Sequence, residues 1–394
     1  MNNRVSHAVR PAPTGETRLL ADHPGGPVPH LDTRSLIELL THAGLTGRGG
    51  AGFPTARKLA SLTGRRPVVV GNAMEGEPLS HKDAVLLDRS PGLVLDGLEI
   101  LQHALRPSRT VLALGARVPT PPARRGIEVR RLADSFVAGQ ETALVNQLNG
   151  HDPVPTDPSV PVFRRGVDGR PTLVLNAETL AQLSLVARHG AAWFRSQGLD
   201  DDPGTFLVSL TESRPGMLDH PGVLEARRGV TLREIVRRGG ADPRAVQAVL
   251  VGGYHGAWIP GQALDTPMSR PGLAPYGATP GAGIVHLLDQ DACPLDVAAR
   301  VTAYLAGQSA RQCGPCLNGL PHMARTMERL ARPGADPRLV PELERLQVLV
   351  AGRGACKHPD GTVRFVASTL RVFDRHVEEH LRGYCDQDHL RGIA

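Results

Sequence analysis

The stretch Pro67–Pro78, PVVVGNAMEGEP, passes from three consecutive valines into a polar turn. A short β-branched run bounded by Pro and Gly reads as a buried strand. The turn places Asn72, Glu75 and Glu77 at that strand's C-terminal end, with Lys82 and Asp83 close behind. Open α/β sheets bind their ligands there. An amide matches donor and acceptor edges of a ring, and carboxylates bind hydroxyls. The plainer alternative is an exposed acidic turn.

Working outward, helical spacing predicts a helix over 31–45 and another over 86–105, interrupted near Pro91. Thr110–Leu114 and Leu173–Leu175 read as strands, with helices over 141–148 and 178–189. The segment between Leu114 and Gly139 reads as a Pro- and Arg-rich loop. This alternation predicts an α/β layer up to about residue 200. From Gly204 the texture becomes β-rich, with strands at 205–210, 222–225, 248–251 and 283–288 and a short helix at 231–237. Beyond Pro294 it is helical, over 295–306, 322–330, 341–351 and 368–380, a bundle-like pattern. Residues 1–30 read as a loose arm.

Bulk properties narrow the classes. The chain has 394 residues, 41% hydrophobic and 21% charged, enough for two or three domains. No apolar run reaches the roughly 18–20 residues of a membrane span. The first residues lack the apolar core of a secretory signal, and five cysteines are too few for a disulfide scaffold. A cytoplasmic protein is expected. The net charge of +6 is spread along a chain with only 3% aromatics, which disfavours nucleic acid and leaves an acidic protein partner open. Arginine supplies nearly every cation; the only lysines are Lys58, Lys82 and Lys357. A compact ammonium fits where a planar guanidinium would not, and each lysine lies beside a stretch singled out here.

Two further clusters carry chemistry. Gly47–Thr55, GRGGAGFPT, offers consecutive backbone N–H groups as a nest for a phosphate or a ring edge, with Phe53 as a stacking face. It lacks the preceding strand of a dinucleotide fingerprint, and a plain surface turn is the alternative. Gly139–Leu144, GQETAL, puts polar groups at a helix start.

Taken in order, GRGGAGFPT, NAMEGEP with Lys82 and Asp83, GQETAL and PTLVLNAET (171–179) resemble the NADH-binding, FMN-carrying subunit of respiratory complex I, the 51-kDa-like family. Diaphorase subunits of some hydrogenases and formate dehydrogenases belong to the same family. The resemblance spans roughly residues 35 to 385. It implies an FMN-binding α/β domain (31–200), a β-grasp module of the soluble-ligand-binding (SLBB-like) type (201–290) and a helical iron–sulfur bundle (291–394). The implied activity is FMN-dependent transfer of electrons from NADH to a [4Fe–4S] cluster and a small ferredoxin- or thioredoxin-like iron–sulfur partner. Carried over by motif, Gly47, Gly49, Gly50 and Gly52 would support the flavin, with Lys58, Asn72, Glu75 and Asn176 around it. Phe53 and the catalytic candidates Glu77 and Glu141 would face the nicotinamide.

The chain departs from that pattern. Met74 replaces the aspartate of NADEGEP, and Gln140 replaces the first glutamate of GEETAL. Pro158–Val162 replaces a Lys-Pro-Pro-Phe-Pro loop, removing a lysine and a stacking phenylalanine. At about 0.5–2 kcal/mol for each such contact, NADH affinity would fall about a hundredfold or vanish. The cluster motif E-S-C-G-x-C-x-P-C is met by QSARQCGPC (308–316), so Ala310 stands at the first cysteine. Cys313, Cys316 and Cys356 remain as ligands. Four readings stay open: a four-iron cluster with a foreign fourth ligand, a three-iron cluster, zinc on three cysteines plus His358 or His322, or a metal-free site. Cys293 and Cys385 read as lone thiols, either of which could fold inward as a replacement ligand. A redox-weakened scaffold subunit or a zinc-binding adaptor is the functional alternative.

Overall fold

The computed structural model describes residues 17–385 apart from 22, 24, 25, 65, 157 and 158. The first unit comprises α1 (Thr33–Ala43), α2 (Thr55–Ala60), β1 (Val68–Ala73), α3 (Lys82–Arg89), α4 (Pro91–Leu105), β2 (Arg109–Leu114), β3 (Glu128–Arg131), α5 (Glu141–Leu148), β4 (Thr172–Asn176) and α6 (Ala177–Arg195). Pro91 opens α4 at its first turn, where its missing N–H costs nothing, so the predicted interruption becomes a boundary between two helices. The sheet runs β3-β2-β1-β4 with every pair parallel.

Alternation explains the valine run. Val69 faces the cluster built by α1, α4 and α6, while Val68 and Val70 face the opposite cluster with Leu144, Val145 and Leu148 of α5. A parallel sheet covered on both faces needs apolar residues at successive positions. The strand β3 was not expected. Its sequence, EVRR, lies at the sheet edge, where charged side chains remain in water and mask the alternation.

The second unit comprises β5 (Thr205–Glu212), β6 (Gly222–Arg227), α7 (Leu232–Arg238), β7 (Val246–Val251), β8 (Ala257–Pro260), α8 (Arg270–Leu273) and β9 (Ile284–Asp289). The order is β6-β5-β9-β7-β8, with β5 and β9 parallel and the other pairs antiparallel. The edge strand β8 ends in Pro260 and escaped the sequence reading for that reason.

The remainder is helical: α9 (Pro294–Gly307), a π-turn at Pro315–Gly319, α10 (Leu320–Leu330), α11 (Leu339–Val350), α12 (His358–Val372) and α13 (Asp374–Leu381). The helix expected over 368–380 is two helices that break at Phe373. These helices bury one face of the second sheet. Ala248, Leu250, Trp258 and Leu288 share a core with Leu295, Leu320 and Phe365. The Trp258 ring meets Phe365 and Phe373 at centroid distances of 6.1 and 5.4 Å.

Of the loose arm expected over 1–30, residues 1–16, 22, 24 and 25 lie outside the described residues. The described part is anchored. Leu19 is fully buried, and the N–H groups of Arg18, Leu19 and Leu20 all donate to Glu225 Oε2, at 2.8, 2.8 and 3.2 Å.

Trp258 has no exposed surface and bridges the second sheet to the helices. Trp258→Ala should destabilise the chain by about 3–5 kcal/mol. A shift of the urea midpoint in a single transition would check both the size and the coupling of the two units.

Candidate functional site

The strand order reverses at β1, with β2 on one side and β4 on the other. Asn72 and Asn176 are register partners at the carboxyl ends of those diverging strands. The crevice outside such a reversal is the usual ligand site of an open α/β sheet. A cleft with a volume of about 240 Å³ opens there, lined by Gly47, Gly49, Gly52, Phe53, Lys58, Asn72, Glu141 and Asn176, among others. The sequence had singled out each of these residues. Gly50, also expected there, turns instead into the neighbouring crevice against Gly281 and Ala282 of the second unit.

The glycine loop is shaped by both units. Gly50 and Gly52 have φ of 105° and 60°, conformations that L side chains resist. A Cβ on Gly52 would collide with the Arg270 guanidinium, which donates to Ala51 O at 2.6 Å. Phe53 lines the cleft and is 46% exposed, with the Arg57 guanidinium over its ring at 5.6 Å from the centroid. At the cleft wall, Lys58 Nζ meets Glu141 Oε1 at 2.6 Å.

Beneath the loop lies a buried ammonium. Lys82 Nζ donates to Arg48 O at 2.9 Å, Glu178 Oε2 at 2.6 Å and Asn176 Oδ1 at 3.4 Å. Burial acts to lower its pKa, but Glu178, Asp83 and Glu75 outweigh burial and leave it raised. The other oxygen of Glu178 accepts the Leu207 N–H at 3.0 Å, which carries the network into β5. Arg48 is also buried; its N–H donates to Thr179 Oγ1 and its guanidinium reaches Pro203 O. Sequence reasoning noted Lys82 but gave it no role, and it passed over Arg48 and Glu178. The scarcity of lysine was the signal for Lys82. Lys357, by contrast, is solvent-exposed and pairs with Asp360 at 3.0 Å.

Both asparagine amides are committed within the protein, Asn72 to backbone and Asn176 also to the Lys82 and Asp83 side chains. Asn72 donates to Gly139 O at 2.9 Å and accepts from the Met74 N–H, while Asn176 caps α6 through the Glu178 N–H. They fix the shape of the cleft floor. Glu75 is not in the lining. Its carboxylate accepts from Ser80 Oγ and from the Asp83 and Ala84 N–H groups, satisfying the first turn of α3. Glu77 is also outside the lining. It accepts the Tyr254 N–H at 3.1 Å from the loop after β7, and its Oε1 is buried without a hydrogen-bond partner. Burial pushes its pKa up to about 7 against the Tyr254 and Leu79 N–H groups and Arg117.

Two departures from the family pattern have local explanations. Gln140 caps α5, its Oε1 accepting from the Thr142 and Ala143 N–H groups, a role that needs only an acceptor oxygen. Met74 packs into the apolar cluster under α5, outside the cleft lining.

Cys313, Cys316 and Cys356 converge in the helical unit. The Cys316 thiol is pushed up to about 12, first by burial, then by its hydrogen bond and proximity to Cys313 and by Cys356. Burial also raises Cys356, opposed by the His358 N–H. The Arg311 N–H points at the Cys316 sulfur, from a residue at φ 52° that stands at the glycine of the cluster motif. Mutually repelling thiols that receive backbone N–H groups fit an iron–sulfur cluster, which needs thiolates and hydrogen bonds to sulfur. The Ala310 methyl offers no ligand, and the neighbouring Ser309 Oγ is buried without a hydrogen-bond partner. The cysteine loop is tied to the first unit: Phe136 N–H donates to Gln308 Oε1 at 3.1 Å, and Gln312 Nε2 donates to Pro155 O.

The zinc reading on these cysteines fails at its histidines. His358 Nδ1 contacts His255 Nε2 at 3.0 Å and its Nε2 contacts Leu305 O at 2.9 Å, so both ring nitrogens are engaged. His322 faces Glu342 at 3.3 Å. Cys293 and Cys385 are not lone thiols, because the fold brings them to each other and to His380.

Two family models match the chain: the Nuo51 FMN-binding domain over residues 40–185 and the NADH-ubiquinone oxidoreductase-F iron-sulfur binding region over residues 296–380. The chain is 28% identical over 377 residues to a NADH-quinone oxidoreductase F subunit of Rhizobium meliloti, covering 88% of each protein. It is 29% identical over 391 residues to the NADH-quinone oxidoreductase F subunit of Streptomyces coelicolor, covering 91% of this chain and 86% of the relative. A crystal structure of an NAD+-reducing [NiFe]-hydrogenase in the H2-reduced state superposes with a TM-score of 0.80 at 26% identity, covering 90% of this chain. The chain spans 64% of that hydrogenase chain, less than two thirds of its length.

Lys82→Met would leave Glu178 buried without its cation, at a cost of about 3–5 kcal/mol. Adding Glu178→Gln should restore part of that loss in urea melts. Glu77 holds its proton more tightly in the folded chain, so stability contributed by the protonated form is lost as pH rises from its ordinary 4.5 toward about 7. Glu77→Gln should flatten the fall in melting temperature across that window.

Proposed function

We propose, from the premise that the chain belongs to the 51-kDa-like family of NADH-quinone oxidoreductase F subunits, that it is an FMN-dependent oxidoreductase taking electrons from NADH to an iron–sulfur centre. The observation that carries this reading is the cleft at the strand reversal, where the glycine loop, Phe53, Lys58, Asn72, Glu141 and Asn176 meet. FMN, when bound, supplies hydride acceptance from a reduced nicotinamide and release of single electrons.

The chain's own residues do the remaining work. In the loop from Gly47 to Gly52 the Gly47 and Arg48 N–H groups are committed to Phe53 O and Thr179 Oγ1, which leaves the glycine-rich remainder to face a phosphate-bearing flat ligand. Lys58 places a cation beside it, oriented by Glu141. Phe53, half-exposed in the cleft lining with Arg57 over its ring, supplies a stacking surface for the nicotinamide. Glu77 closes the seam between the first sheet's turn and the loop at Tyr254, where it can hold a proton near neutral pH. Cys313, Cys316 and Cys356 would ligate three irons of a [4Fe–4S] cluster, with the fourth ligand coming from outside the cysteine set. The hydrogen bonds at Gln308 and Gln312 hold this loop against the flavin unit.

The domain reading follows: an FMN-binding unit over 31–200, a β-grasp SLBB-like unit over 201–290 and an iron–sulfur helical bundle over 291–394. The mixed five-stranded sheet with α7 on one face supports the second of these. No helix among the described residues is long and apolar enough to cross a membrane. A cytoplasmic role beside a small iron–sulfur partner protein fits the family. Ala310 favours one further reading, a scaffold subunit that has lost electron transfer.

Anaerobic purification with a visible spectrum and metal analysis tests the main reading. Flavin bands with iron near four per chain, and bleaching of the flavin by NADH, are expected. Ala310→Cys should raise iron occupancy by restoring the missing ligand. Flavin that NADH cannot bleach, with no iron, would support the scaffold; absence of both flavin and iron would overturn the oxidoreductase.

A further inference from the structure

Cys293 stands immediately before α9, and His380 lies in the last turn of α13, with Cys385 just beyond it. The fold closes these ends of the helical unit on each other. The Sγ atoms of both cysteines and a ring nitrogen of His380 lie within 4.8 Å of one another, the one such group of three among the described residues. Cys293 Sγ lies 3.5 Å from His380 Nε2. His380 is fully buried and Cys385 is 8% exposed. The His380 carbonyl accepts from the Gly334 N–H at 2.7 Å, which anchors its backbone to the α10–α11 link.

We propose that these three residues form a zinc site, separate from the three-cysteine iron site and independent of the reading of the flavin cleft. Tetrahedral zinc with Zn–S of about 2.3 Å and Zn–N of about 2.0–2.1 Å separates a sulfur and a nitrogen ligand by about 3.5 Å. The Cys293–His380 distance already has that value. Two thiolates and an imidazole suit a borderline-soft ion such as zinc and exclude magnesium and calcium, which take oxygen ligands. Binding releases one proton from each thiol, and neutral His380 binds through Nε2. Water takes the fourth position. The ion would clasp the start of α9 to the end of α13, so its role is structural.

The test uses the full chain. Metal analysis should find one zinc per chain, retained in the Cys313→Ser/Cys316→Ser/Cys356→Ser variant and lost in Cys293→Ser/Cys385→Ser. Removing a thiolate should weaken binding by more than about 100-fold, since outer-shell partners alone are worth 10–100-fold. Should the second variant fail to fold, the wild-type chain still decides. Chelation should lower its melting temperature and added Zn2+ restore it, and Co2+ in place of zinc should give the visible bands of tetrahedral thiolate coordination. A chain without zinc and without those cobalt bands would overturn the proposal, leaving the 3.5 Å contact as a thiol–imidazole hydrogen bond. Zinc that follows the other three cysteines, or a Cys293–Cys385 disulfide found by mass spectrometry, would also overturn it.

Discussion

One ammonium group, Lys82 Nζ, holds together the parts from which the cleft is made. Its donors reach the glycine loop through Arg48 O, the end of β4 through Asn176, and the start of α6 through Glu178. Glu178 continues to the β5 backbone, so the same contact sets where the second unit meets the first. An arginine here would bring a wide planar fork into a space that three acceptors close around a point charge. A chain that uses arginine nearly everywhere else keeps lysine at this position for that reason. The arrangement is stable only because it is complete: a buried ion without its partner costs far more than the pair contributes.

Most of the framework was legible because the first sheet is parallel and covered on both faces. Its central strands then read as unbroken apolar runs, and the helices between them as regular repeats. The two missed strands share one physical cause. Glu128–Arg131 and Ala257–Pro260 are edge strands, where charge and proline are tolerated and the inward-facing signal is diluted. The arm failed differently. Its described residues are held by distant groups, Glu225 and the Trp193–Ser196 turn among them, and no local pattern announces contacts across some 175 to 207 positions.

The cleft was legible to the extent that its residues face the ligand space. Gly47, Gly49, Gly52, Phe53, Lys58, Asn72, Glu141 and Asn176 all line it. Glu75 shows the limit of motif reading. A residue within the same short motif points backward to satisfy the N–H groups of α3, so its neighbours can point forward. Glu77 similarly serves the seam with Tyr254. Spacing in sequence places both carboxylates at the right strand end; only packing decides which way each one turns.

The departures from the family pattern therefore differ in weight. Gln140 keeps the acceptor that capping requires, and Met74 belongs to the core under α5, so neither disturbs the cleft lining. Ala310 is different in kind, because a methyl group cannot replace a thiolate and no neighbouring geometry can make it one. Burial, reinforced by the neighbouring sulfurs, raises the cost of ionising Cys316 and Cys356 in a partly buried pocket. A metal bound there must displace the protons these thiols hold, which only a strongly positive centre shared by several thiolates offsets. Ala310 is thus the one departure that alters the donor set, while Cys313, Cys316 and Cys356 stay near one another around it.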